Sequence, residues 1–216
     1  MESNDEPVFD KRVLISIPTK GEIRAETVGW LLKFVKHAHK KGIAAGTQLV
    51  VSPYPLDHMR NKQVKGFLET DYTHMFLLDA DCEPPEDCVE KLLEHDLDIV
   101  AAVAPGVVEG NIVFTAAVID EEADGPFKYK MHSPRSPNLP KGLQEIDACG
   151  ATGVLIKREV LEKMSYPWFK TLVSPDGETI RSGEDFFFCA KAKEVGYKIY
   201  ADFDIVQRHY KVVSLV

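Results

Sequence analysis

Up to Ala104 the chain alternates between short apolar runs and longer segments whose apolar residues recur at helical spacing. Residues 12–18 (RVLISIP), 48–52 (QLVVS), 75–78 (MFLL) and 98–104 read as buried strands, being short, apolar and bounded by turn residues. Between them, Val28, Leu31, Leu32, Val35 and Ala38 mark a helix that ends in His37, His39, Lys40 and Lys41 before Gly42. Cations complement the negative helix end, and glycine suits the stop. Residues 59–68 form a second predicted helix, with Val64, Phe67 and Leu68 on its inner face. Pro84 and Pro85 open a third, with Glu86 and Asp87 in its first turn, where anions favour the positive end. This alternation predicts an α/β fold with a mostly parallel sheet flanked by helices.

The second half changes style. Residues 111–119 read as a strand, 120–125 as an acidic turn, and 133–142 (SPRSPNLPKG) as a mobile, proline-rich loop. Further predicted elements are a strand at 153–157, a short helix at 159–164, a helix at 184–195 ended by Gly196, and β segments at 198–201 and 205–209. A length of 216 residues fits one domain. Residues 12–104 would form its nucleotide-binding half and 105–216 its acceptor half. A net charge of −8 disfavours a long nucleic-acid partner. Cys82, Cys88, Cys149 and Cys189 form no C-x-x-C pair, and reduced thiols in a cytoplasmic setting are expected. The polar, acidic start lacks signal-peptide regions, and no apolar stretch suggests a membrane span.

Three constellations carry chemistry. The run 75–81 (MFLLDAD) places Asp79 and Asp81 just past a buried strand, where ligands of open α/β sheets bind. Two hard oxygen ligands around the small Ala80 suit Mg²⁺ or Mn²⁺ on a diphosphate; the alternative is a solvated acidic turn. Glu184 and Asp185 follow Gly183 at a helix start. They serve either as helix-start chemistry or as a base that accepts a proton from an attacking hydroxyl and that the helix end keeps ionised. His209, in QRHYK, either completes a metal site with Asp81 or packs at the surface.

Taken in order, PTKG after the first strand, RN, LLDADCEPP, GATGVLIKREVLEKM, PWF, GEDFFFCAKAKEVGYKIYAD and QRHYK resemble the GT-A glycosyltransferases, specifically family-2-like members. The resemblance runs from about Val13 to Lys211. It implies a Rossmann-like nucleotide-diphospho-sugar transferase fold and a divalent-metal-dependent, inverting hexosyl transfer from a UDP- or GDP-sugar to a hydroxyl acceptor. It implies Asp81 as the main metal ligand, Asp79 on ribose or metal, and His209 on metal or diphosphate. Pro18, Thr19 and Lys20 would bind nucleotide, Ser52 base or ribose, and Arg60 and Asn61 would lie beside it, Arg60 pairing a phosphate. Gly150 and Ala151 would floor the sugar, Trp168 would offer an aromatic platform, and Asp185, supported by Glu184, would be the base. Many family members carry an acidic residue near Ser52; VVSPYP departs from this, so the base stays open.

No Walker loop, G-x-S-x-G or G-x-G-x-x-G is present, which leaves ATPase, serine hydrolase and dehydrogenase readings without support. A nucleotidyltransferase shares the α/β plan but would show a glycine-rich basic loop in place of PTKGEIR. A non-catalytic nucleotide-sugar-binding module is the other alternative. The acceptor is open among a glycan, a lipid-linked sugar, a protein and a modified nucleobase in DNA.

Overall fold

The computed structural model describes residues 9–108, 110–122 and 129–211. The chain runs β1 Lys11–Thr19, α1 Ala25–Ala38, β2 Ile43–Val51, α2 Leu56–Leu68, β3 His74–Leu77, β4 Cys82–Glu83, α3 Cys88–Glu94 and β5 Ile99–Val103. It continues through β6 Pro105–Val108, β7 Asn111–Phe114, β8 Ala116–Ile119, β9 Tyr129–Met131, β10 Leu143–Ile146, β11 Ala148–Cys149 and β12 Val154–Lys157. It closes with α4 Arg158–Lys163, β13 Leu172–Val173, β14 Ile180–Ser182, α5 Glu184–Glu194, β15 Ile199–Val206 and β16 Arg208–His209.

A seven-stranded sheet in the order β10-β15-β5-β12-β3-β1-β2 carries the fold. β1 lies parallel to β2 and β3, and β15 lies parallel to β5. β12 runs antiparallel between β3 and β5, so a strand from the second half joins the two parallel groups. β3 is covered on both faces, which is why it reads as an unbroken apolar run. On one face Phe67, Leu77, Val154 and Phe188 pack with Trp168 and Phe169. On the other, Ile15, Phe76, Leu92 and Leu155 pack under Trp30 and Phe34.

The first helix forms as expected up to Ala38, a 3-10 turn follows over His39–Lys41, and Gly42 ends that turn in a left-handed conformation, φ 71°. The buried face of α1 is set by Trp30, Phe34 and Ala38. Trp30 and Phe34 are buried and stack at 5.4 Å, whereas Val28, Leu32 and Val35 face outward. Two aromatic rings bury more apolar area than three aliphatic side chains set around them, and the Trp30 indole N–H also donates to Pro85 O at 3.0 Å. α3 starts later than expected, at Cys88. The Pro85 carbonyl accepts the Cys88 N–H in a turn, Asp87 becomes the N-cap, and Glu86 lies outside the helix, paired with Lys33.

The expected strand at 111–119 divides at Thr115. The Thr115 N–H donates to Ala104 O at 2.9 Å and its carbonyl accepts from Gly150 N at 3.0 Å, so the chain switches partners there. β7 pairs with β6 and β8 enters a three-stranded sheet with β11 and β9. The acidic turn at 120–125 lies partly outside the described residues. Residues 133–142 contain no helix or strand. The two late β segments are one strand, β15, followed by β16. All four cysteines are free and buried. Among the described residues no helix is long and apolar enough to cross a membrane.

Gly153 sits where β12 begins, with φ 72°, and a Cβ there would run into the Gln207 amide. Gly153→Ala should therefore destabilise the fold by about 1–3 kcal/mol, from left-handed strain and collision together. Urea unfolding measures it; an unchanged midpoint would contradict the packing described.

Candidate functional site

β3 delivers its end to the site through main-chain bonds. Leu78 N donates to Ser16 O at 3.1 Å, and Asp79 N donates to the Thr152 hydroxyl at 3.0 Å. The chain then turns tightly, Cys82 N to Asp79 O at 3.2 Å, into β4. β4 pairs antiparallel with β16, placing His209 opposite Cys82, and Tyr210 N donates to Asp81 O at 2.9 Å. That short ladder brings the late histidine to the second aspartate.

His209 Nδ1 lies 2.7 Å from Pro105 O and must donate to it, because a carbonyl only accepts. The neutral ring then presents a lone pair at Nε2. That atom is buried, stands 3.3 Å from Asp81 Oδ1, and is not aligned for a hydrogen bond with any group. A backbone carbonyl fixing one ring nitrogen while the other faces a carboxylate is the arrangement of a metal-binding imidazole. Cys82 Sγ lies within the same cluster of ligand atoms. Burial, with Asp79 and Asp81 nearby, pushes its thiol up to about 12, so it stays protonated and donates weakly to Asp81. The donors left are a carboxylate and an imidazole, a pair able to hold a divalent cation.

Asp81 is held strongly ionised. Burial alone would raise its pKa, but the His209 ring facing it and the Lys211 ammonium outweigh burial and bring it to about 2. Lys211 Nζ meets Asp81 Oδ2 at 2.9 Å. The carboxylate beside His209 in turn raises the imidazole above its ordinary value, against burial.

Asp79 takes a different partner from the one expected. Its Oδ1 accepts from Arg60 Nη2 at 2.5 Å, and its carboxylate is not among the clustered metal-ligand atoms. Arg60 is 1% exposed, bonds Gln63 Oε1 at 3.2 Å, and keeps an unpartnered Nε. It orients Asp79 and is not free to clamp a phosphate. Asn61, expected beside the nucleotide, is occupied elsewhere. Its amide donates to Asp57 O and Phe169 O at 2.7 Å each, and its oxygen accepts from Trp168 N and Phe169 N. These bonds tie α2 to the segment that holds Trp168. Trp168 is 7% exposed, and its indole N–H is shared between Leu161 O and Met164 O. It is a core residue and not a sugar platform, because a ring that covers a hydrophobic face is stabilised there by burial.

Beside Asp81 opens a cleft of about 740 Å³. Pro18, Thr19, Lys20, Asp79 and Ala80 line it. Thr19 shapes the loop: its hydroxyl donates to Glu22 O at 2.5 Å and accepts from Gly21 N. Ser52 is buried at the end of β2, where its N–H donates to Thr19 O at 3.1 Å, so it supports that loop from beneath. Gly150 and Ala151 are buried against Thr115, where a Cβ on Gly150 would come within 3.0 Å of the threonine hydroxyl.

Glu184 and Asp185 begin α5 behind Gly183. The Asp185 carboxylate accepts its neighbour's N–H, Phe186 N, at 2.8 Å. Desolvation nevertheless raises both pKa values; Asp185 adds to the rise at Glu184, and Arg60 acts against it at both. The helix end does not hold them at low pKa, as had been expected, because burial outweighs it.

Several site residues carry no sequence signal of their own. Arg24 and Tyr210 line the cleft, the guanidinium lying 4.9 Å over the phenol ring, and Lys211 stands beside them. Gln207 Nε2 donates to Thr152 O at 3.0 Å, linking the strand that carries His209 to the residue that caps Asp79. The Q and K of QRHYK were the available hint.

No family model and no curated protein matches the sequence. Solved structures share the fold. A197 from STIV aligns over 93% of this chain and 86% of that one, with TM-score 0.62 and 22% identity. GalNAc-T7, crystallised with UDP, GalNAc and Mn²⁺, aligns over 94% of this chain with TM-score 0.52 and 12% identity. TarS 1-349 of S. aureus, in complex with UDP-GlcNAc, gives 94%, 0.51 and 12%. The fold is that of the GT-A glycosyltransferases. This chain spans 44% of the GalNAc-T7 chain and 60% of the TarS chain.

Metal binding should be pH-dependent with a definite sign. A proton on His209 competes with a cation, and its pKa is raised, so affinity should climb as pH rises through the neutral range. Below that pKa, Mn²⁺ affinity should fall by about tenfold per pH unit. Mn²⁺ titration followed by electron paramagnetic resonance at pH 6 and 8 measures this; equal affinity at both would remove His209 from the site.

Proposed function

We propose that the protein transfers a sugar from a nucleoside-diphosphate sugar to a hydroxyl acceptor. The observation that carries this reading is the meeting of Asp81, which lines the cleft with Pro18, Thr19 and Lys20, with the buried, unpartnered Nε2 of His209. A GT-A fold supplies the frame, and neighbours of that fold hold UDP or a UDP-sugar.

Asp81 and His209 would hold Mn²⁺ or Mg²⁺. Such an ion supplies Lewis-acid neutralisation of the departing diphosphate. The protein's own cations, Lys20, Arg24 and Lys211, line the same cleft and favour the same anionic group. Asp79, fixed by Arg60, is positioned for the donor's ribose.

Asp185 takes the proton of the acceptor hydroxyl, and its raised pKa makes it a stronger base than an ordinary carboxylate. Attack by that oxygen on the anomeric carbon, opposite the leaving diphosphate, inverts configuration. Glu184 beside it is raised as well, by burial and by the Asp185 charge.

Asp185→Asn should leave donor binding intact and lower the transfer rate by about 10²–10⁴-fold. Asp81→Ala should abolish Mn²⁺-dependent donor affinity. Donor-induced thermal shifts with and without Mn²⁺, screened over UDP- and GDP-sugars, read the second directly. Near-normal turnover in the first variant, or undiminished Mn²⁺-dependent affinity in the second, would overturn the assignment. In the wild type the rate should drop as pH falls through the Asp185 pKa, at a pH above the ordinary value of 3.8. An NMR time course of the product anomer tests inversion.

A further inference from the structure

β2 is the outermost strand of the seven-stranded sheet, and among the described residues no strand pairs with its free edge. It is nine residues long and runs beside β1 in unbroken register. Its sequence, IAAGTQLVV, contains no charged residue and no proline, in a chain whose residues are 28% charged. A free sheet edge presents unpaired N–H and C=O groups that another strand can complete. Proteins ordinarily blunt such edges with lysine, proline, bulges or short strands. β2 has none of these devices.

The surface beside that edge is apolar as well. Ile43 and Ala45 pack beneath α1, and alternation along the strand puts Thr47, Leu49 and Val51 on the same face. Leu49 is 51% exposed and Val51 64%. The opposite face lies against α2, where a Cβ on Gly66 would strike the Gln48 amide. On α1, Lys33 pairs with Glu86 ahead of α3, which turns that flank of the helix toward the middle of the sheet. At about 100° per residue, the other flank carries Val28, Leu31, Leu32 and Val35 and overhangs β2. Leu32 is 67% exposed. Strand edge and helix flank form one charge-free strip.

We propose that a second copy of this chain covers the strip. The two β2 strands pair antiparallel about a twofold axis normal to the sheet, joining two seven-stranded sheets into one. Full overlap sets Thr47 opposite Thr47 of the second copy, Leu49 opposite its Ala45 and Val51 opposite its Ile43. The same axis keeps both α1 helices on one face, so their apolar flanks meet above the new strand pair. The strip suits a copy of itself. A net charge of −8 opposes approach elsewhere on the surface, whereas here no charge is brought together or desolvated. Nine residues at about 3.3 Å give about 30 Å of edge, and strand plus helix flank are about 20 Å deep, so about 600 Å² per copy leaves water. The total, about 1,200 Å², is the size at which stable protein interfaces begin. Val51 lies beside Thr19, which lines the cleft with Asp81, so the two clefts sit at opposite ends of the shared strand pair.

Sedimentation velocity of the full chain should show a monomer–dimer equilibrium with a dissociation constant of about 1–10 μM. Leu49→Lys puts a charge on the edge and should raise that constant at least tenfold, equivalent to about 1.4 kcal/mol. Ile180→Lys, at a similarly exposed position on β14 outside the seven-stranded sheet, should leave it unchanged. Far-ultraviolet circular dichroism matching the wild type shows that each variant is folded. The native cysteines are buried, so Thr47→Cys adds one exposed thiol and should cross-link two copies under copper–phenanthroline oxidation. A chain still monomeric at about 100 μM would overturn the proposal. So would association that Leu49→Lys leaves untouched, association that Ile180→Lys weakens equally, or no cross-link in the Thr47→Cys variant.

Discussion

Two residues of antiparallel ladder, β4 against β16, hold the site together. Without that pairing Asp81 would be one carboxylate on a turn and His209 one imidazole near the end of the chain. With it, Asp81 Oδ1 and His209 Nε2 face each other at 3.3 Å, and Tyr210 and Lys211 are carried to the cleft wall. The ladder is short, so its geometry depends on what lies beneath. Gln207 bonds the Thr152 carbonyl, Thr152 caps Asp79 N, and Gly153 leaves room for the Gln207 amide. Strand end, ladder and histidine therefore move as one body, and a shift in any of them is felt at the others.

The two aspartates are divided by the same arrangement. Ala80 between them faces its carbonyl to Arg24 N and the Thr27 hydroxyl, which pins the turn and sends the neighbouring side chains apart. Asp79 goes inward to Arg60, a pair whose disruption by removing one partner costs about 3–5 kcal/mol in buried settings. Asp81 goes outward to His209 and Lys211. A three-residue motif thus contributes one carboxylate fixed by a buried guanidinium and one left for exchangeable cations.

Much of the frame was legible in the sequence. β1, β3 and α5 announce themselves because each is a contiguous pattern with local stop signals: Pro18 one residue before the end of β1, Asp79 after β3, Gly196 after α5. The places of Asp81 and Lys20 in the fold, just past the carboxyl ends of β3 and β1, were legible for the same reason. Partner choice was not legible. RN looked like a nucleotide contact, yet Arg60 is drawn to Asp79 and Asn61 to the main chain of Phe169, because both lie on the buried face of α2. Trp168 reads as a platform in a string of letters and as core once Leu161 and Met164 offer their carbonyls. On α1 the aliphatic spacing marks the helix, while the two rings between those positions take its buried face. Gln207 and Thr152 are invisible to pattern, since their value comes from bonds across distant strands.

Lys211 gives Asp81 a consequence of its own. Its ammonium holds the outer carboxylate oxygen at 2.9 Å, so the cleft at rest is already neutralised at that point. On the proposed reading, a divalent ion bound there would replace a single positive charge, so the charge at Asp81 would change by one, and Lys211 would be left to pair with an anion in the same cleft.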